Sequence, residues 1–441
     1  MTAMQTQSSN QPLQPLDEPL AVVSCDGHIG PRLVEDLRPY CPQKYLQAFD
    51  EYVERLRSEQ LEQSARTLLG ESDSEDAARL MKMFDDMMAI DGHHDMHARL
   101  ADMDHDGVTA EVIFPSSHNG QSEPFIQSDL FLDPLRGDTE LFAVGMRIYA
   151  EWLADAVKVS PQRFIGLVTP PLWDIDASIT TVKWAAQAGL KGVFLLMPRP
   201  GFKRYDHPDW EPFWAVCEDL GLTLNAHSGA PLEDAVHGPH EFCMHEIETA
   251  GWPARKAVHQ MIFSGVFERH PKLKLILTEQ NFDWWVSSRR EFDSSFAMHR
   301  GQLKHLSRKP SEYMASNVYI GGSFLAPFEA ADAVQHAYTG NVMWGRDYGH
   351  IEGTFVPTVD IDPATNPSRL SLRHAFSNIP AAAIQQMASD NALEVYQLDR
   401  AELTRVAKSI GAPSLKELMT PIHAIPSNGG ALAFRQIGAW A

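Results

Sequence analysis

Four apolar runs in this chain each break off at a residue that can bind a metal ion. Val22-Val23-Ser24-Cys25 stops at Asp26-Gly27-His28, Leu222 to Ala226 ends at His227, Leu273 to Thr278 ends at Glu279, and Val342 to Gly345 is followed by Arg346 and Asp347. Short apolar runs bounded by turn residues read as strands buried on both faces. Alternate side chains of a strand point the same way, so Asp26 and His28 converge on one point if the strand geometry persists through Gly27. Strands that deliver carboxylates and imidazoles at their carboxyl ends belong to a parallel α/β barrel with its site at the top.

The rest of the chain supplies the strand count. Runs at Ala21–Cys25, Val108–Phe114, Phe164–Val168, Leu190–Leu196, Leu222–Ala226, Lys272–Thr278, Asn317–Gly321 and Asn341–Gly345 alternate with segments of helical periodicity. That alternation predicts a (β/α)8 TIM barrel. The first strand is followed by a long charged helical stretch, Pro31 to Leu100, expected as an insertion over the barrel mouth, a lid or a dimer surface. Residues 380–441 read as a helical extension that loosens after Pro426. Residues 1–19, rich in Gln and Pro, are expected to be a disordered tail, leaving 20–441 as a single domain. The cluster His93, His94, Asp95 and His97 has no strand to fix it and reads as solvated loop histidines.

A net charge of −21 makes nucleic acid or an anionic membrane an unfavourable partner. No apolar run is long enough for a membrane span. Cys25, Cys41, Cys217 and Cys243 lack paired spacing and read as reduced thiols of a cytoplasmic protein. A small molecule is the expected partner.

Asp26, His28, His227 and Asp347 offer a mixed oxygen and imidazole set suited to one divalent ion, Zn first, with Mn or Fe also accommodated. Such an ion lowers the pKa of a bound water and polarises a substrate oxygen. Asp347 would then shuttle a proton with His350 or Glu279 assisting. Each residue also has a plain structural alternative: Asp26 capping a turn, His227 hydrogen-bonding at the rim, Asp347 pairing with Arg346. Trp284 and other tryptophans near strand ends suit an aromatic substrate or simply pack the barrel.

Several stretches resemble the amidohydrolase superfamily, in the branch of aminocarboxymuconate-semialdehyde decarboxylase and the hydroxybenzoate decarboxylases. They include VVSCDGHIG (22–30), LTLNAHSG (222–229), SGVFERHPKLKLILTEQNFDWW (264–285) and WGRDYGHIEGTFVP (344–357). The resemblance implies a distorted barrel holding one divalent metal, with the family's ligands falling on Asp26, His28, His227 and Asp347. This chain departs from the pattern in three places. Asp26 stands where His or Glu is usual, Glu279 replaces a histidine after the sixth strand, and Arg346 precedes the aspartate. Arg346 is read either as a binder of a substrate carboxylate that also lowers the Asp347 pKa, or as half of a surface ion pair. The branch favours non-oxidative decarboxylation, the missing histidine favours hydrolysis, and an inactive scaffold barrel is the alternative outside enzymology. No strand-end lysine is placed to bridge two metals, which favours a single ion. Barrels with such insertions often pair as homodimers.

Overall fold

The computed structural model describes residues 12–56, 82, 85–116, 122–126, 135, 137–199, 201–228, 244, 247–248, 252–323, 325–355, 365–425 and 433–435. At its centre are β1 (Val23–Ser24), β2 (His28–Ile29), β3 (Ala110–Pro115), β4 (Phe164–Val168), β5 (Gly192–Phe194), β6 (Thr223–His227), β7 (Leu275–Thr278), β8 (Val318–Ser323) and β9 (Val342–Gly345). All neighbours pair in parallel, in the order β1-β3-β4-β5-β6-β7-β8-β9, with β2 continuing along β3. The first and last strands meet where Cys25 N–H donates to the Trp344 carbonyl (2.9 Å) and Gly27 bridges to Tyr348. The sheet is thus a nearly closed (β/α)8 barrel, as the alternation predicts. Every residue of β3 to β9 is buried, which explains why these strands read as continuous apolar runs rather than alternating ones.

The surrounding helices include α1 (Met96–Asp106), α2 (Thr139–Ala156), α3 (Ile175–Ala188), α4 (Glu211–Asp219), α5 (Trp252–Phe263), α6 (Asp283–Met298), α7 (Pro310–Asn317) and α8 (Pro327–Gln335). Asp95, Asp138 and Asp174 cap the amino ends of α1, α2 and α3 by accepting first-turn N–H groups. Gly107 and Gly189 close α1 and α3 in the left-handed conformation that glycine adopts without strain.

Two expectations change. His93 is not solvated: it is 1% exposed, and its Nε2 lies 2.8 Å from the Met87 carbonyl, while Asp95 is occupied as the α1 cap. Residues 12–19, read as part of a disordered tail, lie along the carboxyl-terminal extension. Gln14 N–H donates to Gln385 Oε1 (2.8 Å), Lys416 N–H donates to the Leu16 carbonyl (2.9 Å), and Pro19 bridges Ser414. Low apolar content predicted disorder, but backbone pairing supplies the order here. α9 (Pro367–Phe376) precedes the extension, and α10 (Arg400–Ile410) lies within it. The expected residues His118, His237, His240, His245 and Cys243, residues 1–11, and much of the helical periodicity at 46–69 and 75–88 lie outside the described residues.

Candidate metal centre

The barrel brings Asp26, His28, His227 and Asp347 together at the carboxyl ends of its strands. His28 Nε2 lies 3.2 Å from His227 Nε2, 3.4 Å from Asp26 Oδ1 and 3.4 Å from Asp347 Oδ1, and His227 Nε2 lies 3.6 Å from Asp26 Oδ1. Four ligands at about 2.0–2.2 Å around one tetrahedral ion lie about 3.3–3.6 Å from one another. Asp26, His28 and His227 are therefore spaced as ligands of a single cation, with Asp347 beside them against His28 and His350.

The hydrogen bonds behind the site support that fit. His28 Nδ1 lies 3.0 Å from the Ser116 carbonyl, and His227 Nδ1 lies 3.1 Å from the Ser228 carbonyl. A carbonyl only accepts, so each Nδ1 carries the proton and each neutral ring turns an Nε2 lone pair inward. Two ring nitrogens 3.2 Å apart call for a proton or a metal ion between them. Asp26 Oδ1 and both Asp347 oxygens are buried and accept no hydrogen bond from the described residues. Buried carboxylate oxygens are costly unless something positive satisfies them. Ser323 Oγ donates to the other Asp26 oxygen and fixes that carboxylate.

Charge is crowded here. Burial would raise the Asp26 carboxyl, but the His227 and His28 imidazoles outweigh it and hold it well below the usual carboxylate range. Burial raises Asp347 far above that range, reinforced by Asp26, Glu279 and Glu352. Burial would lower His227, but Glu279 and Asp26 push it up to about 9, so a proton competes with a metal for its ring. Glu279 lies 3.3 Å from His227 Nδ1 and accepts from Ser228 Oγ. Burial, only partly offset by His227, pushes its carboxyl up to about 8. His350 stacks on His28 with ring centres 3.9 Å apart, and its Nδ1 is 3.2 Å from Asp347 Oδ1. Ser116, Glu279 and Asp347 all have positive φ at strand ends (68°, 56° and 51°), a conformation disfavoured for residues other than glycine.

Arg346 is placed differently from either expectation. It is 0% exposed, and its guanidinium is spent on Glu111 (Nε to Oε1, 2.6 Å; Nη2 to Oε2, 3.3 Å) and Asp106 (Nη1 to Oδ2, 2.8 Å). It is thus neither on the surface nor available to a substrate carboxylate. Because its charge is already compensated, it does not pull Asp347 down. Arg99 of α1 completes the cluster, with Nε 2.7 Å and Nη2 2.6 Å from Glu111 Oε2 and Nη1 2.8 Å from the His28 carbonyl. Arg99 and Arg346 also face the ring of Tyr348 at 3.5 and 4.5 Å. This network holds the backbone of the ligand strand, and the sequence reading passed over it. Its trace was a glutamate inside the apolar run V-T-A-E-V-I-F. Gly27 is the other trace: a Cβ there would lie 2.6 Å from Glu111 Cδ and 2.7 Å from Arg99 Nη2.

Trp284 sits in the first turn of α6, 2% exposed, with its ring 5.5 Å from that of Trp285 and from the Arg255 guanidinium. Its ring nitrogen has no hydrogen-bond partner among the described residues. Phe114 of β3 lies edge-on to His227 (5.0 Å) and to Phe194 (5.3 Å), an apolar wall that the sequence reading did not single out.

Residues 90–398 match the amidohydrolase family, and the chain belongs to it. Asp26 and His28 lie ahead of the matched residues. Among individual proteins, it is 29% identical over 142 residues to gamma-resorcylate decarboxylase of Rhodococcus jostii, covering 28% of this chain and 41% of that protein. It is 32% identical over 127 residues to 2-amino-3-carboxymuconate-6-semialdehyde decarboxylase of Dictyostelium discoideum, covering 28% of this chain and 34% of that one. The chain thus spans less than half the length of these curated relatives. In solved structures it resembles 5-carboxyvanillate decarboxylase of Novosphingobium aromaticivorans complexed with manganese and 4-hydroxy-3-methoxy-5-nitrobenzoic acid. That match has a TM-score of 0.57 and 19% identity over 86% of this chain and 96% of that one. The corresponding enzyme of Sphingomonas paucimobilis gives a TM-score of 0.54 and 21% identity over 86% and 100%.

Proposed function

We propose that this chain is a metal-dependent enzyme that removes carbon dioxide from a small aromatic carboxylic acid without an oxidant. The observation that carries the reading is His28 Nε2 standing 3.2–3.4 Å from His227 Nε2, Asp26 Oδ1 and Asp347 Oδ1, with both imidazoles oriented by backbone carbonyls. The decarboxylase names of the relatives described above and the Phe114 wall beside His227 support the choice of reaction and substrate class.

Asp26, His28, His227 and Asp347 would hold the ion, which supplies Lewis-acid polarisation of the substrate's carboxylate and an adjacent oxygen. A manganese-bound neighbour and the oxygen-bearing ligand set support Mn as readily as the Zn expected from sequence. The remaining work belongs to the chain. Phe114 and Phe194 present apolar surface to an aromatic ring, and the unpaired Trp284 N–H is assigned to a substrate oxygen. Glu279, held by Ser228 and bearing a proton, is assigned as the acid that protonates the ring carbon, which its raised pKa supports. The carbon–carbon bond breaks, its electron pair stays on the ring, carbon dioxide leaves, and the Glu279 proton replaces it. His350, in contact with Asp347, returns a proton from solvent. We extend the proposal to a homodimer, on the strength of the helical insertion, and to a cytoplasmic setting, on the free thiols of Cys25, Cys41 and Cys217. Among the described residues no helix is long and apolar enough to cross a membrane.

The test is to load the purified protein with Mn or Zn and offer hydroxybenzoic and related aromatic acids in deuterium oxide. Carbon dioxide release with one deuterium at the vacated ring carbon is the expected result. Cleavage of esters or amides alone would replace the proposal with hydrolysis, and a folded protein that takes up no metal would leave a scaffold.

A further inference from the structure

Tyr149 of α2 stands behind the ligand strand and ties two segments of the metal centre to one hydroxyl. Its side chain is 1% exposed, and its ring packs edge-on to Trp152 with centres 5.9 Å apart. The hydroxyl donates to the carbonyl of Ile29, the residue after His28 (2.6 Å), and accepts the N–H of Ser116 just past β3 (3.2 Å). Ser116 in turn offers its carbonyl to His28 Nδ1 (3.0 Å). One helix-borne oxygen thus contacts both the strand that carries His28 and the residue that sets the direction of its ring.

The independent observation is the backbone of Ser116. Its φ of 68° lies in the left-handed region, where a Cβ is crowded by its own backbone and a residue other than glycine stays only if it is held. The serine side chain does not hold it: Oγ is buried and makes no hydrogen bond among the described residues. The restraints act on the backbone instead, through the N–H on Tyr149 and an antiparallel bridge to Ile29. Just before this point β2 and β3 pair in parallel, His28 opposite Phe114 and Ile29 opposite Pro115. Relaxed to an extended conformation, Ser116 would swing its carbonyl away from His28. The imidazole could then carry its proton on Nε2, the nitrogen that faces His227, Asp26 and Asp347. A ring protonated there offers no lone pair to a metal.

We propose that Tyr149 is a positioning residue of the metal centre: by holding Ser116 in its left-handed conformation, it keeps the Ser116 carbonyl on His28 Nδ1 and the Nε2 lone pair turned towards the ion. The inference rests on the proposed metal centre and adds to it the residue that orients one of its ligands. Strain at Ser116 is what makes the arrangement depend on Tyr149, because the backbone relaxes once its N–H loses that acceptor. His227 needs no such device, since its Nδ1 meets the carbonyl of the very next residue, Ser228 (3.1 Å). The carbonyl that serves His28 comes from 88 residues along the chain and must be brought to it.

The experiment is a titration of the full chain with Mn²⁺, the unbound ion followed by electron paramagnetic resonance, with urea unfolding of the metal-free protein to show that each variant is folded. Tyr149→Phe keeps the ring and removes the hydroxyl, and is expected to weaken Mn²⁺ binding about 10–100-fold. Glycine adopts the left-handed conformation without strain, so Tyr149→Phe made in a Ser116→Gly background should weaken binding by only about threefold or less relative to Ser116→Gly alone. Ser116→Val, with Tyr149 intact, puts a β-branched residue where φ is positive and should match the Tyr149→Phe loss. It decides the question if Tyr149→Phe does not fold. Wild-type affinity in Tyr149→Phe or in Ser116→Val overturns the positioning role and leaves the metal centre standing. An equal loss in both backgrounds overturns it too, because a tyrosine that only supports the fold would give that result. A wild type that binds no Mn²⁺ overturns the metal centre itself, and this role with it.

Discussion

Arg346 and Asp347 are neighbours in sequence and both are 0% exposed, yet their side chains enter clusters of opposite character. Arg346 joins Arg99, Glu111 and Asp106, where hydrogen bonds of 2.6–3.3 Å connect cations to carboxylates. Asp347 joins Asp26, Glu279, His28 and His350, where carboxylates crowd together and buried oxygens lack donors. The first cluster is complete within the chain and acts as a support. The second becomes complete only with something from outside. Burial alone does not distinguish structural from functional charge; whether the charge is satisfied does.

The largest expected effect falls on the second cluster. His227→Ala removes an inward lone pair, and metal content by elemental analysis should drop to background with activity lost, while the fold by circular dichroism persists. Asp347→Asn should also abolish turnover, yet make the metal-free protein more resistant to urea by about 1 kcal/mol, because it deletes a carboxylate that burial and like charge disfavour. An Asp347→Asn protein markedly less stable than wild type would erase the distinction between the clusters.

The first cluster should respond in the opposite sense. Glu111→Gln leaves Arg99 buried without its carboxylate and Arg346 with Asp106 alone, a loss of about 3–5 kcal/mol in urea unfolding. Any fall in metal affinity should follow from that loss. Gly27→Ala drives a methyl group into Glu111 and should cost about 1–3 kcal/mol by the same measurement, with metal binding weakened because Asp26 and His28 flank the shift.

Acidity sharpens the comparison further. Asp347 and Glu279 have folded-state pKa values raised above those of the unfolded chain, so the native state holds more protons between the two values. Their contribution to metal-free stability is fully present below about pH 4, near the unfolded carboxylate values, and is lost as the pH rises, through about 8 for Glu279. Burial would raise Asp106 as well, but His105, Arg346, Asn366 and Ser368 outweigh it and hold it low. Its contribution is therefore present above about pH 4 and lost as the pH falls through its depressed value. The melting-temperature gain on adding metal should accordingly widen from pH 5 to pH 8. A gain independent of pH would mean that the ion does not relieve these carboxylates.

The smallest effect is expected at Ser228→Ala, which keeps the carbonyl that orients His227 and removes only the hydroxyl on Glu279. Metal content should be unchanged and turnover should fall within about tenfold.

The pattern of apolar runs made the barrel and the convergence of Asp26, His28, His227 and Asp347 at its mouth legible, because a buried parallel strand must be apolar until it reaches the mouth. The supporting network was not legible, because its members come from α1, β3 and the end of β9, and no local pattern links Arg99 to Glu111 or Arg346. Arg346 itself was misread for the same reason: a charged residue next to a ligand suggests the substrate, and only the fold shows that its partners come from α1 and β3. Glu352 lies beyond the strand end in a polar turn, so its approach to Glu279 had no sequence signature. The pairing of residues 12–19 was hidden likewise, since its partners lie near the other end of the chain.

That last pairing bears on how the molecule is made. The segment 16–20 pairs with 413–416, and Cys25, just after β1, donates to Trp344 of the strand at 342–345. Asp26 and His28 are therefore made well before Asp347 and the segment at 413–416, and they wait for both before they are locked in place. Contacts of such long sequence separation form late. A nascent chain released before Asp347 would carry half of a ligand set and an open sheet edge, so the ability to retain metal doubles as a report that synthesis has run past β9.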